Sequence, residues 1–194
     1  MAHFRLSRPP LKTAPNPDWG ALDLLLGYTS MSASSMSNQV ETISVVIAQF
    51  KELHNELRLE VANRDDGSLN WSPCPGANSV ATIVTHTLGS EAETLRAVAG
   101  VPGSRDRDAE FKIGSQSQAD LLAQIRQADS LLDELAPTLT DDRALTSTAL
   151  PTLSRDDRRP GMTWLIGNLG HAREHMGHLR LTVQLYDAAF KPQS

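Results

Sequence analysis

The chain has 194 residues, one cysteine and a formal net charge of −5, with 40% hydrophobic and 21% charged residues. That is enough for one domain with its own core and short for two, and the acidic balance supplies no basic footprint for nucleic acid or an anionic membrane. No apolar run approaches the ~20 residues of a membrane span, Cys74 has no partner for an internal disulfide, and the start lacks a basic-then-apolar signal pattern, so a soluble cytoplasmic protein is expected.

Residues 1–36 differ from the remainder. Pro9, Pro10, Pro15 and Pro17 interrupt any helix, Ser30 to Ser37 is rich in serine and methionine, and at most a short helix fits around Ala21 to Tyr28. An irregular N-terminal extension is expected here, with Met31 and Met36 as alternative starts, followed by one domain over residues 37–191. From Asn38 a helical period appears. Ile43, Val46, Ile47, Phe50, Leu53, Leu57 and Val61 recur at spacings of three and four, until Arg64-Asp65-Asp66-Gly67 stops the run. The stretch Leu69-Asn70-Trp71-Ser72-Pro73-Cys74-Pro75-Gly76 holds two prolines and is read as non-helical.

Asn78 or Ser79 can cap a second helix that carries Val80, Ile83, Val84, Thr87, Leu88 and Leu95 and ends at Gly100. A charged connection from Ser104 to Glu110 follows. Ser115 and Gln118 have the spacing of a capping box for a third helix with Leu121, Leu122, Ile125, Ala128, Leu131, Leu132 and Leu135. The link from Pro137 to Pro160 is long for a compact domain. A fourth helix starts near Thr163 and runs to Phe190. Without repeats or convincing strands, four helices of this length predict an all-α four-helix bundle.

The chemistry concentrates in the fourth helix. His171 and His175 are four residues apart, about 40° around the axis and one turn along it, so both imidazoles can close on one metal ion. His86, in the second helix, is eight residues after Asn78, as His171 is eight after Thr163. Both are then about 12 Å from their helix starts, which lets His86, His171 and His175 share one level of a bundle. A His-x-x-x-His pair alone is just as well explained as a satisfied core pair.

The pattern Leu69-x-Trp71-x-Pro73-x-Pro75-Gly76-x-Asn78-Ser79 before His86, with His171-x-x-x-His175-x-Gly177-x-Leu179 near the C-terminus, resembles the DinB/YfiT-like superfamily. The resemblance covers roughly Asn38 to Tyr186. It implies an up-down-down-up four-helix bundle, often dimeric, holding a divalent metal on three histidines, here His86, His171 and His175. His178 departs from the pattern, since members commonly have glutamine there. The resemblance also implies chemistry, because members include thiol-dependent S-transferases of the bacillithiol and mycothiol kind and a maleylpyruvate isomerase.

Other residues carry competing readings. His171-Ala172-Arg173-Glu174-His175 matches the H-x-x-E-H of inverted zinc peptidases, but a further glutamate ligand is required downstream and the sequence offers only Asp187. Glu174 is better read as a surface residue. His178 is assigned to the pocket wall or to support of a ligand, and His54 to a hydrogen-bonded place in the core. Trp71, Trp164 and Asn168 are the expected pocket residues, and Glu93 and Glu174 are weak candidates for a catalytic base. Cys74 is read as a small turn residue rather than a nucleophile.

Three neutral imidazoles with open coordination positions suit zinc, nickel or iron alike. Three functions stay open: activation of a low-molecular-weight thiol for S-transfer to a small-molecule substrate, hydrolysis through metal-activated water, and a non-catalytic stress-response binding module.

Overall fold

A computed structural model describes residues 34–153 and 156–190. In chain order the elements are α1 (Ser34–Ala62), α2 (Asp66–Asn70), α3 (Val80–Ala99), α4 (Arg107–Glu110), α5 (Gln118–Leu135), α6 (Asp141–Leu145), β1 (Ser147–Thr148), β2 (Arg159–Pro160) and α7 (Gly161–Phe190). The extension expected over residues 1–36, including the short helix at Ala21 to Tyr28, lies outside the described residues up to position 33. Ser34 to Met36 already belong to α1.

The four long helices bury the faces that the periodicity predicts. Phe50, Leu53 and Leu57 from α1, Val84 and Leu95 from α3, Leu121, Ile125 and Leu132 from α5, and Leu165 and Leu179 from α7 meet in one core. Side chains of this size each contribute about 1.5–3 kcal/mol when removed from water. Among the described residues, no helix is long and apolar enough to cross a membrane.

Side-chain pairs fix the direction of each helix. Arg173 meets Glu52 and Glu56, Arg180 meets Glu56 and Glu60, and Asp187 meets Arg64, so residue numbers rise together and α1 runs parallel to α7. Lys51 meets Asp133, His54 meets Asp129, and Gln118 reaches the carbonyl of Arg64, so α1 and α5 are antiparallel. Asn168 meets Ser90 while the later His175 packs against the earlier His86, so α3 opposes α7. The order is up, down, down, up. Helix α3 packs on α5 and α7, as does α1, which leaves α1 and α3 facing each other across the diagonal of the bundle.

The ends of the helices follow local chemistry. Ser79 caps α3, its Oγ accepting from the Thr82 amide, and Gly100 ends it in the left-handed region at φ 73°, which is open to glycine without a Cβ penalty. At α5 the capping box is formed by Ser117 and Asp120, not by Ser115 and Gln118. Both pairs have suitable spacing, and Asp120 supplies the carboxylate that bonds back to the Ser117 amide. The stretches read as plain connections also contain structure. Asp65 caps the single turn α2 and Asp106 caps α4, while the long link holds α6 and a two-residue antiparallel ladder, β1 with β2.

Polar residues inside α3 have named partners, as burial demands. His54, fully buried on α1, places Nε2 2.9 Å from Glu91 Oε2 across the diagonal and Nδ1 2.8 Å from Asp129 Oδ1 on α5. Burial alone would lower the His54 pKa, but the two carboxylates outweigh it and hold the ring above its usual value. Glu91 is raised in turn, chiefly by burial. His54 is thus the hydrogen-bonded core histidine that the sequence suggests.

Candidate metal centre

Helix α3 packs on both α5 and α7 and is buried around most of its circumference, and His86 is among its buried positions, one turn from Ile83. Helix α7 brings His171 and His175 to face it, one turn apart and between the buried Asn168, Ala172 and Met176. The ring centroids of His86 lie 5.4 Å from His171 and 5.0 Å from His175, and those of His171 and His175 lie 4.3 Å apart. One ring nitrogen from each residue falls within 4.8 Å of the other two.

The donor set fits a divalent cation on three grounds. First, the Nε2 atoms of His171 and His175 are 2.9 Å apart. Two bare lone pairs at that distance repel, so the pair requires a proton or a cation between them, and Zn–N bonds of about 2.0–2.1 Å span it. Second, the pKa of each ring lies below its usual value. Burial is the largest cause in each case, and at His175 the neighbouring histidines add to it, pushing that ring down to about 4. His171 is lowered by burial and then by His86, Arg105 and Arg107; His86 is lowered by burial, with Glu110 opposing. Third, His86 Nδ1 is 2.9 Å from Glu110 Oε2, which commits that nitrogen and leaves Nε2 for a ligand bond. The Nδ1 atoms of His171 and His175 are buried without a hydrogen-bond partner, so packing alone orients those two rings.

The support for His86 extends outward. Arg105 grips Glu110 with Nε and Nη2, both at 2.7 Å, and donates through Nη1 to Glu93 Oε2 at 3.0 Å. Glu93 also accepts from the amide and the hydroxyl of Thr152, each at 2.7 Å. Gly89 makes this arrangement sterically accessible, since a Cβ there would fall inside the Glu110 carboxylate. Phe111 lies against His86, with centroids 4.6 Å apart.

A cavity of about 350 Å³ opens beside the histidines, with His86, His171, Glu93, Asn168 and Trp164 among its walls. A second cavity of about 450 Å³ lies beyond Arg105, and Glu93 and Arg105 face both. The residues singled out in the sequence therefore separate into groups. Asn168 and Trp164 line the chamber beside His86 and His171. Glu93 lines it too, but as a fully partnered carboxylate rather than a free base. His178 is exposed, 5.7 Å from the ring of His175, and belongs with it to a separate hollow near Pro73 and Leu185. Trp71 packs edge-on against Tyr186 and Phe190 and lines neither of the cavities that touch the histidines. Glu174 faces solvent and Cys74 is exposed, outside both of those cavities.

Glu110, Arg105, Arg107 and Thr152 were not expected at the site. Three of them fall in a charge-dense run that reads as a solvated linker, and the local signal within it is Asp106, which caps the single turn α4 that carries Arg107 and Glu110.

The fold and the histidine triad define a class: four-helix bundles with a candidate metal centre between facing helices. The chain belongs to the DinB superfamily, whose family profile matches residues 49–179. Among solved structures it is similar to a DinB-like protein from Bacillus cereus ATCC 10987, at 13% identity and a TM-score of 0.58, covering 77% of this chain and 95% of that one. At that identity the likeness concerns the fold. A search of curated proteins finds no match.

Proposed function

We propose that this chain is a metal-dependent S-transferase in which His86, His171 and His175 hold a divalent ion and a low-molecular-weight thiol of the bacillithiol or mycothiol kind supplies the nucleophile. The observation that carries this reading is the chamber beside His86 and His171 in which no cysteine stands and the one lining carboxylate, Glu93, is occupied by Arg105 and Thr152. A nucleophile must then arrive with a ligand. When bound, a divalent ion supplies the positive charge that draws down the pKa of a thiol presented to it. The chain itself lowers the pKa of each ring, fixes His86 through Glu110, and places Trp164 in the chamber wall.

Hydrolysis has less support, because it wants a positioned base and neither Glu93 nor the exposed Glu174 is free to act as one at the rings. The test is conjugation of bacillithiol or mycothiol to monochlorobimane by the zinc-loaded protein. A carbon–sulfur bond forms, the carbon–chlorine bond breaks, chloride leaves and the thiol proton passes to solvent. His171→Ala is expected to abolish the reaction. Activity on esters or amides without thiol would favour the hydrolase, and bound metal with neither activity would favour a binding module.

A further inference from the structure

The chamber beside His86 and His171 has an uneven charge distribution. Its single lining carboxylate, Glu93, accepts from Arg105, which also serves Glu110, and from both donors of Thr152. Two further guanidinium groups line it, Arg107 and Arg159. Arg159 directs both arms of its fork at Asp157, at 2.9 Å each, and lies 4.8 Å over the Trp164 ring. Arg107 is different. It stands 5.2 Å over the ring of Phe111 and meets no carboxylate among the described residues.

A second observation points to a ligand. Asn168 is 7% exposed, lines the same chamber and donates Nδ2 to Ser90 Oγ at 2.9 Å, while its Oδ1 is buried without a partner. An unmet buried amide oxygen costs about 1–3 kcal/mol unless something donates to it. Leu150, Leu153 and Trp164 make the intervening wall apolar.

We infer that the chamber takes a small organic monocarboxylate, its carboxylate held by Arg107, its apolar body against Leu150, Leu153 and Trp164, and a hydrogen-bond donor on it meeting Asn168 Oδ1. Arg107 is the lining guanidinium that no described carboxylate contacts, so its planar fork is open to one carboxylate. Arg159, already paired with Asp157, contributes less. The inference deepens the proposed function, resting on it for the assignment of this cavity as the substrate chamber.

The probes are benzoate and its neutral isostere benzamide, titrated into zinc-loaded and into metal-stripped protein and followed by NMR shifts of the Trp164 and Asn168 amides. Benzoate is expected to bind about tenfold more tightly than benzamide in both forms, the worth of one charge-assisted hydrogen-bond pair. Arg107→Gln, on an exposed residue, is expected to bring the ratio to within about twofold, and Arg159→Gln to lower it by less. A ratio near one in the wild type overturns the inference. So does a preference that survives Arg107→Gln, or one that appears only with zinc, which would put the carboxylate on the metal. Tighter binding of phenyl phosphate than of benzoate overturns the single-charge match. Zinc content, measured on the same samples, separates the two readings. A chain without zinc uptake that keeps the preference refutes the metal site alone, and a zinc-bound chain without it refutes the carboxylate alone.

Discussion

Glu110 Oε2 accepts from His86 Nδ1 at 2.9 Å, although Glu110 ends a connection that reads as a charged linker. Arg105 aims that carboxylate with two bonds of 2.7 Å. One ligand ring is thus oriented by a hydrogen-bond chain, while its two partners on α7 are oriented by packing.

Glu110→Gln is expected to weaken metal binding about 10–100-fold, the usual effect of removing such an outer partner. Competition with a chromophoric chelator measures it. The fold should survive, because the amide can still bond both His86 and Arg105, and circular dichroism would register any loss of helix.

Gly89→Ala tests the same relationship from the other side. A methyl group there has no room unless the Glu110 side chain moves, so zinc affinity should fall as in Glu110→Gln. Alanine otherwise favours a helix interior by about 1 kcal/mol over glycine. Unchanged affinity with raised stability would show that the His86–Glu110 bond does not orient the ligand.

The His54–Glu91–Asp129 cluster predicts a pH dependence of stability. The folded pKa of His54 is raised above its usual 6.5, so its contribution is complete below that value and declines as pH rises toward the folded pKa. Glu91, also raised, works in the same direction. Denaturant midpoints should fall on the alkaline side of pH 6.5, with a slope of at most about 1.4 kcal/mol per pH unit for one proton. His54→Gln should flatten this slope.

Breaking that cluster one residue at a time should cost more than removing the diagonal pair together. His54→Leu leaves Glu91 buried without its partner, an effect of about 3–5 kcal/mol. The double variant His54→Leu/Glu91→Leu should recover much of the loss, as both buried polar groups then disappear. Urea unfolding of the three proteins decides it.

The capping correction also has a measurable side. Ser117→Ala is expected to cost about 1 kcal/mol and Ser115→Ala little, since the amide of Asp120 takes its bond from Ser117. Equal losses would mean that α5 begins earlier.

The long helices were legible because periodic apolar residues such as Phe50, Leu53 and Leu57 have one way to be buried. The triad was legible for a related reason: His171 and His175 share a face by spacing alone, and His86 sits at matching depth. Glu110, Arg105 and Thr152 were not legible, because their positions depend on how an irregular segment folds back on α3, and a charged run carries no period. Trp71 shows the converse. It belongs to the stretch on which the resemblance rests, yet its ring meets Tyr186 and Phe190 rather than the chamber.

All three imidazoles come from α3 and α7, the antiparallel neighbours, and none from α1 or α5. A cation shared by them would act as a staple between two distant parts of the chain, closing one seam while leaving the other helix contacts unchanged. Native protein alone would hold it, so the melting temperature should climb with free zinc, by the equivalent of about 2.7 kcal/mol at a hundred times the dissociation constant.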